Sequence, residues 1–181
     1  MIIPHNFKLQ YSTAEIQEVN AKMGQRITEW AAKSKETDDE QVIVVPILRG
    51  AIFFFADLVR YVDQSVTIAP IRCWAYHAEN NQSRDEIEID LQGLEVEGRR
   101  ILLVDDICDS GQTLKKVSEK LANSGATEVK SAVLIRRKLD KIFFDPNYIG
   151  FEYTGHEWFV GYGMNFNNGY RNLSDIYTVE A

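Results

Sequence analysis

Cysteine is scarce in this 181-residue chain: only Cys73 and Cys108 occur, with neither the spacing of a metal site nor the numbers for a disulfide framework. A reducing compartment is the simpler expectation, and Cys108, closing an apolar run, reads as a small buried thiol. Long hydrophobic stretches are missing too. No run approaches the roughly 18 apolar residues of a membrane span, and the opening MIIPHNFKLQ has no basic region leading into a long apolar one, so neither a membrane partner nor a secretion signal is expected. The expected location is the cytoplasm. Positive charge is in deficit, with 20 Lys and Arg against 27 Asp and Glu for a net charge of -7. That balance argues against a nucleic-acid partner, which needs a broad cationic surface. Internal repeats, low-complexity tracts and a Pro/Ser linker are absent. What remains is 45% hydrophobic and 26% charged, an ordinary composition for one compact domain spanning 1–181.

Ser12 and Thr13 precede Ile16, Val19, Met23, Ile27 and Trp30, a three-or-four spacing that predicts an amphipathic helix with a capping hydroxyl. QVIVVPIL (41–48) is continuously apolar and β-branched, as a strand buried on both faces of a parallel sheet would be. Arg49-Gly50 breaks it, and AIFFFADLVRYV (51–62) reads as the next helix. VTIAPIRCWAY (66–76) is a second strand, followed by HAENNQSRDEIE (77–88), polar and non-periodic, the kind of long connection used as a lid. RRILLVD (99–105) is a third strand. Leu114, Val117 and Leu121 then mark a helix ended by Gly125, and VKSAVLIR (129–136) is a fourth strand. The expected fold is α/β, a mostly parallel twisted sheet flanked by helices, with ligands beyond the carboxyl ends of the strands. The aromatic and glycine-rich tail YIGFEYTGHEWFVGYGMNFNNGYRNL (148–173) reads as a small irregular β cap.

The segment LLVDDICDSGQT (102–113) carries the most chemistry. A buried strand ending in Asp105-Asp106 and turning through Asp109, Ser110 and Gly111 into a helix directs backbone amides at an anion. Gly111 permits close approach or positive φ, and Ser110 and Thr113 add hydroxyl donors. Neither the GxxxxGK of a P-loop nor a GxGxxG turn is present, so ATP hydrolysis and NAD are not indicated. Three carboxylates beside a phosphate site need a ligand that also offers hydroxyl donors and a hard cation: a sugar phosphate with Mg²⁺. Helix capping would account for one aspartate, not three.

VDDICDSGQT resembles the signature with which type I phosphoribosyltransferases hold 5-phosphoribosyl-1-pyrophosphate: apolar residues, two acids, then D-[ST]-G-x-T. Within that family, VPILRGAIFFFADLVRYVD and PNYIGFEYTGHEWFVGYGMNFNNGYRNL resemble the pyrophosphate loop and C-terminal purine hood of the hypoxanthine-guanine phosphoribosyltransferases, so that the likeness runs from about residue 40 onward. It implies Mg²⁺-dependent transfer of a phosphoribosyl group to a 6-oxopurine in purine salvage, by a homodimer or homotetramer acting on small molecules.

The resemblance also implies roles. Asp105 and Asp106 would meet the ribose hydroxyls and the metal, and Asp109 would exchange a proton near N7 of the purine. Ser110, Gly111, Gln112 and Thr113, with the Asp109 backbone, would hold the 5′-phosphate. Leu48, Arg49 and Gly50 match the pyrophosphate loop, where the family has a non-proline cis peptide, and Arg171 matches an arginine on the same group. Trp158 would stack on the purine and Phe159 read its edge, the hood being drawn from 148–181. Tyr76 resembles the tyrosine of a mobile loop closing over the site (77–88) and excluding water. Three positions depart from the family pattern: Arg136, by ungapped placement, where a lysine contacts the purine oxygen; Asn165, a weaker ligand, where an aspartate helps hold Mg²⁺; and Ala75 where a serine is usual. Two other classes compete. A regulatory protein of the same fold that senses the sugar pyrophosphate or a nucleotide would be expected to add a helix-turn-helix or basic stripe, and a response-regulator receiver would carry its acid pair on the first strand.

Overall fold

A computed structural model of the chain describes residues 2–33, 41–75, 87–91 and 93–180, with the side chains of Trp74, Ala75, Ile87 and Glu88 set aside. The expected positions Tyr76 and 77–86 lie outside the described residues.

Strand β1 (Lys8–Tyr11) leads into helix α1 (Thr13–Ala32), which opens with a complete capping box. The Ser12 hydroxyl accepts from the Glu15 amide while Glu15 accepts from the Ser12 amide, satisfying two donors that the helix start would leave unpaired. The apolar stripe reads out as expected, with Ile16, Met23, Ile27 and Trp30 buried. Strand β2 (Val42–Leu48) and helix α2 (Ile52–Leu58), closed by a 3₁₀ turn over Val59–Tyr61, follow. The segment read as one second strand is two, β3 (Val66–Ile68) and β4 (Ile71–Ala75), both parallel to β2. Pro70 divides them, because it has no N–H to continue a ladder. The polar connection ends sooner than expected: Ile87 and Glu88 open β5 (Ile87–Asp90), antiparallel to β4.

Strand β6 (Arg100–Cys108), helix α3 (Gln112–Asn123), β7 (Glu128–Arg137) and β8 (Tyr148–Tyr153) complete a seven-stranded sheet of order β5-β4-β2-β6-β7-β8, with β3 also on β2. All its pairings except β4–β5 are parallel. One face packs on α1 and α2 through Ile16, Ile27, Val44, Phe54, Leu102 and Leu134. The other packs on α3 through Ile43, Val45, Leu103, Leu114, Val117 and Val133. Alternation along each central strand, with both faces covered, is why these segments read as unbroken apolar runs.

A second sheet of three antiparallel strands, β1-β10-β9, forms the hood from β9 (Trp158–Val160), β10 (Ile176–Val179) and the N-terminal β1. The expected hood boundary therefore moves. Strand β8, inside the 148–181 segment, belongs to the central sheet, and residues 8–11 belong to the hood. The Asp175 carboxylate ties the hood to the start of α1 by accepting from both the amide and the hydroxyl of Thr13, each at 2.7 Å.

Candidate active site

Two cavities open beyond the carboxyl ends of the parallel strands and meet at a shared wall of Asp105, Ile107 and Asp109. The smaller, of ≈ 220 Å³, is the turn from β6 into α3. Gly111 sits there at φ 79° as the N-cap of α3, with no side chain capping the helix, so the first-turn amides are left for an anion. A Cβ at Gly111 would run into the backbone of Phe144, so here glycine is required twice, by conformation and by space. Ser110, Gln112 and Thr113 complete the cradle, and the Phe143 amide braces it by donating to the Ser110 carbonyl at 2.8 Å.

The larger cavity, of ≈ 290 Å³, lies between the loop after β2 and the hood. Leu48, Arg49 and Gly50 line one side, with the Leu48–Arg49 peptide bond cis. Trp158, Phe159, Asn165 and Arg171 line the other, and Asp105 and Asp106 form the floor. Gly50 rests so tightly on the Asp106 carboxylate that no side chain would fit there. Asp105 is only 9% exposed, and burial, with the neighbouring carboxylate of Asp106 next, pushes its acidity well toward the protonated form. Burial raises Asp106 as well, against hydrogen bonds that lower it. Donors that prefer the charged form, such as sugar hydroxyls or a cation, would relieve this strain. Arg171 is held below its ordinary value first by burial and then by the facing Arg49. Two cations turned toward one space make a site for a polyanion.

The sequence placement of Arg136 does not hold. Its guanidinium pairs with Asp145 at 3.0 Å and Glu152 at 3.5 Å, outside the larger cavity. Of the doublet, it is Arg137 that lines the cavity, donating to Asp109 at 2.7 Å, to the Glu157 carbonyl at 3.1 Å and to the Gly155 carbonyl, with its guanidinium over the rings of Phe159 and Tyr153. The reason lies in β7. Leu134 and its neighbour Ile135 both pack in the cluster facing α1, so strict alternation slips by one residue and turns Arg137 to the hood. An Arg-Arg doublet gives no hint of such a slip. Met164 and Ile107 also line the cavity without having been foreseen.

Asn165 uses its side-chain oxygen to accept from Arg171 at 2.7 Å, and its carbonyl accepts from the Trp158 indole at 2.7 Å. Trp158 is thereby fixed with 54% of its surface open to the cavity and solvent. Among the described residues no group of three or more His, Cys, Asp or Glu could enclose a metal. The carboxylates of Asp105 and Asp106 do fit Mg²⁺ in its usual mode, one or two carboxylates with substrate phosphates and water supplying the rest. Asn165, already engaged, fits less well.

The family model for the phosphoribosyl transferase domain matches residues 14–167. The chain belongs to this family. Among relatives, the hypoxanthine-guanine phosphoribosyltransferase of Aquifex aeolicus is 35% identical over 145 residues, covering 78% of this chain and 80% of that protein. The Staphylococcus epidermidis enzyme of the same name is 32% identical over 176 residues, covering 94% and 92%. The fold is shared with Trypanosoma cruzi hypoxanthine phosphoribosyl transferase, at a TM-score of 0.86 and 22% identity, with 99% of this chain and 95% of that one covered. The matched span contains both the β6–α3 turn and the loop after β2.

Proposed function

We propose that the chain transfers the 5-phosphoribosyl group of 5-phosphoribosyl-1-pyrophosphate to a 6-oxopurine, hypoxanthine or guanine, releasing pyrophosphate and forming IMP or GMP. The observation that carries this reading is the pair of cavities joined at Asp105 and Asp109: an amide-lined cradle on one side, an arginine- and tryptophan-lined cleft on the other, carboxylates between. The 5′-phosphate takes the cradle of Ser110, Gly111, Gln112 and Thr113. The ribose diol donates to Asp105 and Asp106. Arg171, Arg49 and the Leu48–Gly50 loop face the pyrophosphate, and Trp158 supplies a flat surface for the base, with Phe159 at its edge.

In the reaction a purine nitrogen forms its bond to the anomeric carbon as the bond to pyrophosphate breaks, and positive charge grows on the sugar. Asp109 takes the proton that the base gives up. The carboxylates flanking the ring stabilise its developing charge, and the arginines that of the leaving group. Mg²⁺, held by Asp105 and Asp106 with substrate oxygens, would neutralise phosphate charge and favour departure of pyrophosphate. Arg137 takes the base-reading role first given to Arg136: two of its five N–H groups remain after its three hydrogen bonds, enough to donate to a 6-oxo group and to disfavour a 6-amino one. A cytoplasmic homo-oligomer is the accompanying inference. The half-exposed Ile52 and Phe53 of α2 are consistent with it, and no helix among the described residues is long and apolar enough to cross a membrane.

The test is a spectrophotometric assay with Mg²⁺ and 5-phosphoribosyl-1-pyrophosphate, offering hypoxanthine, guanine, xanthine and adenine separately. Turnover of 6-oxopurines and not of adenine is the expected result. Failure with every base, despite tight binding of the sugar pyrophosphate, would overturn the assignment.

A further inference from the structure

The hood touches the pyrophosphate loop through a turn whose central residue does not face the cleft. Tyr162 stands at φ 48° between Gly161 at φ 97° and Gly163 at φ 105°. An aromatic residue in the left-handed region is uncommon and persists only where its surroundings hold it. Here they do. The buried Tyr162 hydroxyl donates to Asp57 Oδ2 of α2 at 2.7 Å and accepts from Asn20 Nδ2 of α1 at 3.0 Å. Asn20 is fully buried, and its Oδ1 has no hydrogen-bond partner among the described residues. Apolar side chains of similar volume would fill this space without an orphaned acceptor, so the polar trio contributes placement more than stability.

What it places is the backbone beside it. Gly163 lies against the Gly50 carbonyl with no room for a Cβ, and Gly50 in turn lies on the Asp106 carboxylate. The Gly163 amide donates to the Arg171 carbonyl at 2.8 Å, and the Arg171 guanidinium returns a bond to the Gly163 carbonyl at 2.5 Å. Asp57 sits on α2, which begins directly after the Leu48–Gly50 loop. Tyr162 therefore grips that loop twice, through Gly163 on its outer side and through Asp57 on the helix that continues it. We infer that Tyr162, held by Asp57 and Asn20, is a positioning residue for the pyrophosphate half of the site, setting the gap between the Leu48–Gly50 loop and Arg171 without touching the substrate.

This inference rests on the transferase reading above, and its test separates the two. Tyr162→Phe keeps the ring and removes the hydroxyl, whereas Asp57→Asn keeps an acceptor oxygen for it. Steady-state constants for both substrates would be measured with each variant, together with calorimetric binding of magnesium pyrophosphate and thermal melting. Tyr162→Phe is expected to raise KM for 5-phosphoribosyl-1-pyrophosphate, and Kd for pyrophosphate, by about tenfold while leaving KM for the purine within about twofold, and Asp57→Asn to leave all three constants within about twofold of wild type. An equal rise in both KM values, or a lower melting temperature with unchanged constants, would mean the trio is merely structural and overturns the inference alone. A wild-type protein that neither turns over any base nor binds pyrophosphate overturns the transferase reading and this one with it.

Discussion

In the proposed reaction Asp109 and Arg137 divide the chemistry of the cleft between them. Asp109 is more than half exposed toward the meeting point of the cavities and is oriented by the Arg137 guanidinium at 2.7 Å. Asp109→Asn keeps the shape and the hydrogen bond to Arg137 but cannot take a proton. It should lower kcat by about 10²-fold or more with little change in KM for the sugar pyrophosphate; near-normal turnover would remove Asp109 from the proton-transfer step. The arginine doublet offers a paired comparison. Arg137→Met is expected to raise KM for the 6-oxopurine by at least about tenfold, while Arg136→Met, which severs only contacts to Asp145 and Glu152, should leave both KM values within about twofold. The opposite ranking in a kinetic comparison would return the base-reading role to Arg136.

At the level of elements, α1 and the hood are coupled by Asp175, whose carboxyl the hydroxyl and amide of Thr13 hold below the usual carboxylate range. Since the folded-state pKa is depressed, this contribution is present above the unfolded value near 4 and fades as pH falls through the folded one. Asp175→Ala should cost about 1–2 kcal/mol at pH 7, a few degrees of Tm, and the gap to wild type should narrow as melts are repeated toward pH 3. A gap independent of pH would mean the carboxylate charge is not what matters. The same joint shows where sequence reading ran out. Helices α1 and α3 and strands β2, β6 and β7 were legible because hydrophobic periodicity and caps are local. The turn from β6 into α3, with its uncapped first-turn amides, was legible because Asp-Ser-Gly after a buried strand favours such a turn. Strand β1 was not, since KLQY has no strong alternation and is recruited only by a partner distant in sequence. The slip in β7 was hidden for a related reason: it follows from how Leu134 and Ile135 pack, not from their identities.

Seen whole, the molecule is a rigid central sheet bearing a lighter hood. The sheet is buried on both faces by two large clusters, whereas the hood's own cluster centres on Phe7, Val160, Tyr177 and Val179. Local opening free energy follows such packing. Amide hydrogen exchange should therefore be slowest in β6 and β7 and faster in β1, β9 and β10, and substrate bound between hood and sheet should slow the hood selectively. Uniform protection across both sheets, with or without ligand, would contradict this division.

The antiparallel pairing of Lys8 with Thr178 joins positions 170 residues apart, and that separation has a consequence in time. Neighbouring strands of the central sheet are separated by much less chain, the longest stretch being that between β2 and β6, and can find one another earlier, but the β1–β10 ladder must close nearly the whole polypeptide into a ring before any of its hydrogen bonds form. Loop-closure entropy of this kind delays a contact more than it weakens it. The sheet is thus expected to assemble first and the hood last, so that during refolding a chain gains the proposed phosphate cradle before it gains the proposed place to hold a base.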